Sequence, residues 1–468
     1  MIADLKPYPE YKESTLPWVK QIPKHWNVVR NGSLFGQRNE TGYADLPILE
    51  VSLNTGVRVR NFEASTRKQV MSDAGKYKRA VKGEVAYNMM RLWQGAVGVS
   101  PVDGLVSPAY VVARPYVNVE PEYYVRLFRT AAYMAEIDNR SRGIVKDRNR
   151  LYWDQFKQIR SPYPPPEEQA AIVRFLNWTH ARMEKAVGSK RRVIALLKEQ
   201  KRAIIHEAVT GGVETPVRRK PSGSPWFGDI PRHWQIHQAR HIGRLLKGSG
   251  GTKEDAVDEG VPCVRYGELY TTYNNFIWQS RTFISPERAV DYTPIRYGDV
   301  LFAASGEKIE EIGKSAVNLI ASPAVCGGDL VILRPSIPVH APFLGYLFDS
   351  YGATYQKATM CRGTTIKHIY PDELRGLQVC FPPLDEQERI ATALDGSLLQ
   401  IHIAISHLER EIELLREFRT RLVADVVMGK LDVRDAALRV PDEELREVIA
   451  EDTDLMNGDN VEDVEAAA

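Results

Sequence analysis

Cysteine is scarce in this chain of 468 residues, which has only Cys263, Cys326, Cys361 and Cys380. No two of them form a C-x-x-C pair, which argues against a thiol redox motif or a cysteine-rich metal site, and a reducing cytoplasm fits best. No apolar run approaches the roughly 18 residues of a membrane span. The first residues also lack the basic and then apolar pattern of a signal peptide. We therefore expect a globular protein of the cytoplasm.

Recognisable catalytic motifs are missing as well. Residues 313–315 read Gly-Lys-Ser like the end of a phosphate-binding loop, but the first glycine of that motif falls on Lys308. His206 and Glu207 begin like a zinc-binding H-E-x-x-H helix, but Thr210 stands where the second histidine is needed. The Pro-Pro pairs do not follow Asn or Asp, as they would in the loop that holds an amine for methyl transfer. The sequence therefore offers no catalytic residue.

Two long amphipathic segments, residues 164–212 and 381–430, organise the chain. They open with PPPEEQAAIVRFL and PPLDEQERIATAL and end near Gly212 and Gly429, with prolines and glycines where helices begin and stop. Apolar residues recur at alternating steps of three and four, which is typical of a coiled-coil helix. The predicted seams are Val173, Leu176, His180, Met183, Val187, Lys190, Ile194, Leu197, Lys201, Ile204 and Ala208, and, 218 residues later, Ala391, Leu394, Leu398, Ile401, Ile405, Leu408, Ile412, Leu415, Arg419, Leu422 and Val426. A helix this long with so narrow a seam needs a partner, so we expect the two segments to pair, with their polar seam positions near the ends or reaching outward.

The repeat extends beyond the helices. PWVKQIPKHW at residues 17–26 recurs as PWFGDIPRHW at 225–234, and each copy continues into about 140 residues with short strand-like runs, turns and a helix-like stretch. His237 and His241 follow His233 at helical spacing, but only His233 recurs in the first copy, as His25 beside tryptophan. We interpret this His–Trp pair as structural and expect no metal site.

These features predict the fold class and the domains. We expect an α/β (α+β) protein with two mixed α/β domains, 1–163 and 225–380, separated by two long antiparallel coiled-coil helices in a pseudo-two-fold internal repeat. Residues 213–224 read as an exposed linker. Residues 431–468 form a C-terminal extension with a short helix near 441–451 and an acidic, disordered tail. Two similar domains held apart by a rigid helix pair suit two separated sites on a linear ligand such as duplex DNA.

The charge is distributed unevenly along the chain. Residues 1–160 carry 25 Lys and Arg against 16 Asp and Glu, whereas residues 221–380 carry 16 of each. Residues 441–468 carry one Arg against 11 Asp and Glu. The first domain is therefore suited to a polyanion, while the contribution of the neutral second domain to phosphate binding is less clear from charge alone.

The order of parts resembles the specificity subunit of type I restriction–modification systems. The resemblance rests on the two P-P-x-x-E-Q helix entries, on PW-x3-IP-[KR]-HW opening each half, and on pieces such as VKGEVAYNMMRLWQGAVG, VPCVRYGEL, YGDVLFAASGE and RGTTIKHI, and it covers about residues 15–435. It implies two target-recognition domains, each reading one half of a bipartite DNA target, and a helix pair that sets the spacer. It also implies a non-catalytic subunit that docks two methyltransferase (modification) subunits, joined by restriction/translocase subunits. S-adenosylmethionine, ATP and Mg would bind to those partners only.

Basic and polar residues near predicted turns are the candidates for DNA contact, because Arg and Lys suit phosphates and Arg and Gln suit base edges. In the first half they are Arg58, Arg60, Asn88, Arg91, Gln94, Arg140, Arg142, Lys146, Arg148 and Arg150, and in the second half Lys247, Arg265, Tyr266, Ser305, Lys308, Arg362, Thr364, Thr365 and Lys367. Trp93 beside them reads as core, and a solvated basic surface is the alternative to DNA contact for the run from Arg140 to Arg150.

Partner binding is predicted on the first long helix, outside its seam. The candidates there are Arg174, Trp178 and Arg182, where the tryptophan is either an interface anchor or additional core. A coiled-coil scaffold that joins two protein-binding domains is the alternative function, and a self-contained DNA-modifying enzyme is a third. DNA affinity that falls with salt would distinguish the first function from the scaffold.

Overall fold

The computed structural model describes residues 5–53, 55–60, 74–143, 149–214, 217–309, 311–364 and 366–441. The predicted contacts at Lys146, Arg148 and Thr365, the helix predicted near 441–451 and the acidic tail lie outside these residues. The chain divides into two compact units, unit 1 with residues 1–189 and 411–468 and unit 2 with residues 190–410.

Unit 1 is built on an antiparallel four-stranded sheet with helices beside it. Its strands are β1 (Tyr11–Leu16), β2 (Val19–Pro23), β3 (Asn27–Arg30), β4 (Phe35–Arg38), β5 (Leu49–Ser52), β6 (Gly56–Val59), β7 (Lys78–Ala80), β8 (Val85–Asn88), β9 (Val97–Val99), β10 (Gly104–Val106), β11 (Tyr110–Pro115) and β12 (Arg160–Tyr163), and its short helices are α1 (Pro121–Phe128), α2 (Ala131–Arg140) and α3 (Trp153–Phe156). The sheet has the order β4-β11-β8-β9, and the other strands form the pairs β1-β2, β3-β12, β5-β6 and β7-β10. Buried aromatic side chains such as Phe35, Tyr124, Phe128 and Phe156 form its core.

Unit 2 repeats this plan and has a larger second sheet. After the long helix α4 (Pro166–Gly211), the strands are β13 (Arg219–Pro221), β14 (Asp229–Pro231), β15 (Gln235–Gln238), β16 (Gly243–Lys247), β17 (Ala256–Val257), β18 (Val261–Val264), β19 (Phe276–Ile277), β20 (Thr282–Ile284), β21 (Thr293–Ile295), β22 (Val300–Ala303), β23 (Ser305–Gly306), β24 (Ser315–Asn318), β25 (Ala324–Cys326), β26 (Leu330–Pro335), β27 (Lys367–His368) and β28 (Gln378–Phe381). The helices are α5 (Ala239–Ile242), α6 (Tyr266–Thr271), α7 (Pro286–Ala289), α8 (Ala341–Phe348), α9 (Tyr351–Met360), α10 (Pro371–Leu374), the long α11 (Leu384–Val427) and, back in unit 1, α12 (Arg434–Leu438).

The sheets establish the repeat at the level of topology. The order β16-β26-β22-β24 in unit 2 matches β4-β11-β8-β9 in unit 1, and the shared strand pairs are antiparallel in both. Helices α8 and α9 follow α1 and α2 at the same interval of 220 residues. Unit 1 contains a counterpart to part of the sheet β17-β20-β18-β25-β21: the antiparallel pair β7-β10 corresponds to β21-β25, and a parallel bridge between Ile48 and Leu105 corresponds to the pairing of β18 with β25.

The two long helices agree with the predicted segments to within three residues at each end. Every seam position is buried or half-buried, whereas neighbours such as Lys185 and Arg192 are exposed. The polar side chains of the seam have nearby partners or a shifted pKa. In unit 1 the Arg419 guanidinium lies 3.4 Å from His180 Nδ1 and 2.7 Å from the Glu184 carboxylate. In unit 2, burial lowers the pKa of Lys201.

One boundary differs from the prediction. Part of the expected linker, Arg219–Pro221, pairs with Asp229–Pro231, because it is the first strand of a hairpin equivalent to β1-β2. The start of the C-terminal extension, before the predicted tail, belongs to the core of unit 1, since Val433 and Val440 are buried there. None of the described helices combines the length and the apolarity that crossing a membrane requires.

Candidate nucleic-acid interface

The E-Q dipeptide at the start of α4 fastens the long helix to its domain. The buried Glu168 carboxylate accepts hydrogen bonds from Tyr8 Oη (2.6 Å) and Trp26 Nε1 (2.9 Å) and lies 2.7 Å from His25 Nε2. Gln169 accepts the backbone N–H of Glu120, just before α1, and donates its amide to the Pro164 carbonyl. The motif therefore positions the domain on its helix.

Unit 2 repeats these bonds on α11. Glu386 accepts from Trp234 Nε1 (2.8 Å) and lies 2.6 Å from His233 Nε2. Gln387 accepts the backbone N–H of His340, just before α8, and donates to Pro382. The interpretation of the His–Trp pair as structural is confirmed. The described residues hold no cluster of three or more His, Cys, Asp or Glu that would suit a metal ion.

Each of these tryptophans also contacts the end of the other long helix. In unit 1 a Cβ at Gly429, where φ is +75°, would lie 2.9 Å from the Trp26 ring. In unit 2, Gly212 directly after α4 has φ +76°, and a Cβ there would lie 3.4 Å from the Trp234 ring. Within each unit the tryptophan therefore joins the start of one long helix to the end of the other, which requires the helices to run antiparallel.

The candidates of unit 1 come together where the central strand β8 ends. The Met89 carbonyl, just after β8, accepts the N–H of Leu151, next to Arg150. Arg142 and Arg150 exchange backbone hydrogen bonds of 3.0 and 2.9 Å, which brings these two residues side by side after α2. Arg91 Nη1 lies 3.4 Å from Gln94 Oε1. The sequence placed these residues in two separate runs, and the fold makes them one surface.

Asn88, Arg140 and Arg58 of unit 1 have structural roles. Asn88 is only 1% exposed, and its Oδ1 accepts the N–H of Met90, so it shapes the loop from inside rather than reaching a ligand as predicted. Arg140 pairs with Glu136, and Arg58 pairs with Glu50 across the β5-β6 hairpin, beside a half-buried Arg60.

The candidates of unit 2 converge at the equivalent place, after β22. Ser305 in β23 pairs with His368 in β27, and the backbones of Arg362 and His368 exchange hydrogen bonds of 2.9 and 2.7 Å. The hairpin so closed includes Thr364 and Lys367, and Lys308 is exposed on the neighbouring loop. These candidates therefore form one polar surface.

Three further candidates lie around this surface. Helix α6 is attached to it, because Tyr270 Oη donates to the Ser305 carbonyl (3.0 Å), and Tyr266 on the same helix is 42% exposed. Arg265, just before α6, donates to the Thr252 carbonyl. Lys247 ends β16 opposite Val331, at the sheet edge where β22 also ends.

Sequence reasoning missed three residues that hold this surface in place. His368 Nδ1 lies 3.0 Å from Ser305 Oγ, and its ring stacks on Tyr370. The Glu373 carboxylate holds the Arg362 guanidinium at 2.8 Å. Single polar residues in turns carry no periodic signal, so only the RGTTIKHI piece as a whole pointed to this region.

The third missed residue, Lys357, is buried in helix α9. Its ammonium donates to the carbonyls of Gly313 (2.7 Å) and Phe348 (2.9 Å), and burial lowers its pKa to about 8. Gly313 closes the loop that carries Lys308, so Lys357 anchors that loop. The corresponding residue of unit 1 is Ile137, an ordinary core residue, which explains why the repeat gave no hint of a buried cation.

The predicted partner residues lie on α4, with different exposure. Trp178 is 5% exposed and packs against Phe175, with the Arg182 guanidinium 5.1 Å from its ring, so it is core rather than an interface anchor. Arg174 donates to the Val440 carbonyl (2.6 Å), which ties the C-terminal extension to the helix. Of the three, only Arg182 is exposed.

Comparison with known proteins gives one consistent result. No protein-family model matches the chain. The chain is 24% identical over 208 residues to the type I restriction enzyme EcoKI specificity subunit of Escherichia coli K12, which is 44% of each chain, so the match spans less than half of that relative. It is 21% identical over 454 residues to the putative type I restriction enzyme MjaX specificity subunit of Methanocaldococcus jannaschii, which covers 91% of this chain and 98% of that one.

A solved structure shares the fold. It comes from work on the complex assembly and conformational transition of the type I R-M system, and it matches 88% of this chain and 99% of its own with a TM-score of 0.61 and 19% identity. The duplicated sheet and the two E-Q helix entries accompany these similarities, so the chain is similar to type I restriction enzyme specificity subunits in sequence and shares the fold of the solved structure.

Proposed function

We propose that the chain is the DNA-reading, non-catalytic subunit of a type I restriction–modification complex. The polar surface of each unit reads one half of a bipartite duplex target, and the paired long helices set the distance between the halves. Methyl transfer belongs to docked methyltransferase subunits, which would bind S-adenosylmethionine. Cleavage and translocation, with ATP and Mg, belong to further subunits.

The observation that carries this proposal is the duplication of one polar surface. Both units place a loop after the central strand beside a backbone-bonded pair of residues after the second helix, and both fasten this body to a long helix through the same Glu–Trp and Gln–backbone hydrogen bonds. Two equivalent surfaces on paired helices suit a duplex, since its backbone repeats at fixed intervals.

The docking of methyltransferase subunits is supported by the outer faces of the long helices. Apolar side chains outside the seam are 40 to 60% exposed there, which is unusual for a face that meets only water. They are Val193, Leu196, Leu399, Ile403, Leu414 and Phe418. Apolar side chains exposed on a long helix fit a partner helix that packs against it.

Sequencing of methylated DNA from cells that express the chain with its methyltransferase partner tests the proposal. We expect methylation at two short motifs separated by a constant number of unspecified base pairs, and none when this chain is omitted. Replacing residues 1–160 with the first domain of another specificity subunit should change one half of the motif only. Methyl transfer by this chain alone would contradict the assignment.

The scaffold alternative makes the opposite prediction for DNA binding. A protein that only joined protein-binding domains would show no DNA affinity that falls with salt, even with its partners present. We therefore expect the affinity of the assembled complex for duplex DNA to decrease steeply between 50 and 200 mM salt, a range over which several phosphate contacts cost orders of magnitude.

A further inference from the structure

One feature of the two polar surfaces is the same in both units. The backbone pairs of Arg142 with Arg150 and of Arg362 with His368 each begin two residues after a ten-residue helix, α2 or α9. Arg142 and Arg362 are 220 residues apart, the interval that also separates those helices. Both arginines are followed by glycine. The two residues before them differ between the units, with Arg140 and Ser141 in one and Met360 and Cys361 in the other.

Folding alone does not account for the two arginines. Arg142 is exposed, and no side-chain partner of it is recorded among the described residues. The Arg362 side chain is 76% exposed, and an ion pair with Glu373 fixes the guanidinium at the surface. The glycine does have a backbone role in unit 2. Gly363 has φ +110°, and a Cβ there would lie 2.1 Å from the Ile366 carbonyl oxygen.

The loops beside these backbone pairs are different in the two units. After β8 the chain reads Met-Met-Arg-Leu-Trp-Gln, with Arg91 and Gln94 at the surface, and after β22 it reads Ala-Ser-Gly-Glu-Lys, with Ser305 and Lys308. Residues that read bases have to differ between domains with different targets, whereas the sugar–phosphate backbone is the same in both halves.

We infer that Arg142 and Arg362 form equivalent phosphate contacts, one in each unit, that hold the duplex independently of its sequence. This inference rests on the proposed function and divides the surface in two. The arginines common to both units supply DNA affinity and orient the duplex. The loops that differ between the units read the bases. It also gives the second domain, in which residues 221–380 carry equal numbers of acidic and basic side chains, its own phosphate contact.

Salt dependence of DNA affinity tests the inference, with the full chain in complex with its methyltransferase partner. The variants are Arg142→Gln, Arg362→Gln and the double substitution, measured on a duplex with the target and on one with both halves scrambled. Each single change should weaken binding to both duplexes by the same factor. Each should also reduce the slope of log affinity against log salt by about 0.9, and the double variant by about twice that.

Matched controls separate contact from fold and from base readout. Arg362→Lys should keep the slope, because a phosphate accepts a point charge, whereas a bidentate base contact would be lost. Arg421→Gln on α11 and Arg375→Gln after α10 make the same charge change at exposed sites of units 1 and 2, and both should leave the slope unchanged.

Three results would overturn the inference. They are an unchanged slope in both single variants, a loss confined to the target duplex, or a changed preference at one half of the motif. A wild-type complex with no salt-dependent DNA affinity would instead overturn the proposed function itself. The two failures are therefore distinguishable.

Discussion

At the residue scale, Glu168 and Glu386 occupy equivalent positions with unequal numbers of partners. Glu168 bonds tyrosine and tryptophan and lies against histidine, whereas Glu386 has the tryptophan and histidine only. A hydrogen bond to a charged group contributes about 1.5–3 kcal/mol. We expect Glu168→Gln to lower the free energy of unfolding by about 2–4 kcal/mol, and Glu386→Gln by less. Urea denaturation measures both, with the exposed Glu388→Gln as a control that should change little. Equal losses at all three sites would contradict this ranking.

Lys357 gives a prediction about pH. Its pKa in the folded protein is about 8 and lies below the ordinary lysine value of 10.5, because burial disfavours the ammonium. Between these two values the unfolded chain binds more protons, so this residue makes stability rise as pH increases from about 8 to 10.5. The rise amounts to about 3 kcal/mol when fully developed. Urea midpoints of the wild type and of Lys357→Met should diverge in favour of the wild type over this range, and parallel curves would contradict the assignment.

Base readout is also a property of single residues. Arg91 and Gln94 lie on the loop that differs between units, and loss of a good base contact costs about 1–3 kcal/mol of discrimination. We expect Arg91→Ala or Gln94→Ala to relax one or two base pairs in one half of the methylated motif and to leave the other half unchanged. Sequencing of methylated DNA from cells with each variant is the measurement. A uniform loss of methylation over both halves of the motif would indicate that these residues contact the DNA backbone instead.

At the scale of elements, the glycines of the long helices fall into two classes. Gly188 and Gly396 lie inside helices with nothing within 4 Å of an added Cβ, whereas Gly429 has positive φ and a Cβ would meet Pro23 at 2.4 Å. Alanine at either internal position should stabilise the protein by about 0.5–1 kcal/mol. Gly429→Ala should destabilise it, because both the backbone and the neighbouring ring oppose it. Thermal unfolding of the three variants tests the division, and stabilisation by Gly429→Ala would contradict it.

The elements also show how much of this fold could be predicted from sequence. The long helices were predicted to within three residues, because a 3.5-residue seam, prolines at one end and glycines at the other are local signals. The strand Arg219–Pro221 was taken for linker because three polar and proline residues carry no pattern, and only its partner Asp229–Pro231 makes it a strand. Asn88 and Trp178 were predicted as contact residues because of their chemistry, but both are buried. Their burial depends on residues that are distant in the sequence, so it could not be predicted from local patterns.

At the scale of the whole molecule, the distance between the DNA halves should follow helix length. Lys198 and Glu409 face each other on α4 and α11 in unit 2, 4.0 Å apart. Seven residues inserted after each of Lys198 and Leu408 preserve the seam and lengthen each helix by about 10.5 Å. This corresponds to about three base pairs at 3.4 Å each. Methylation should move to a spacer about three base pairs longer or be lost, with both half-motifs unaltered. An unchanged spacer would contradict the role of the helices.

The two tryptophans also constrain which changes in the length of the long helices evolution can accept. Because Trp26 and Trp234 each touch the first turn of one long helix and the terminal glycine of the other, a length change in one helix alone would pull a terminus away from its tryptophan. Viable changes in helix length are therefore expected as matched pairs. A duplicated gene can supply such pairs when recombination copies one half onto the other. New spacings would then arise in whole steps, whereas new target bases can arise one substitution at a time.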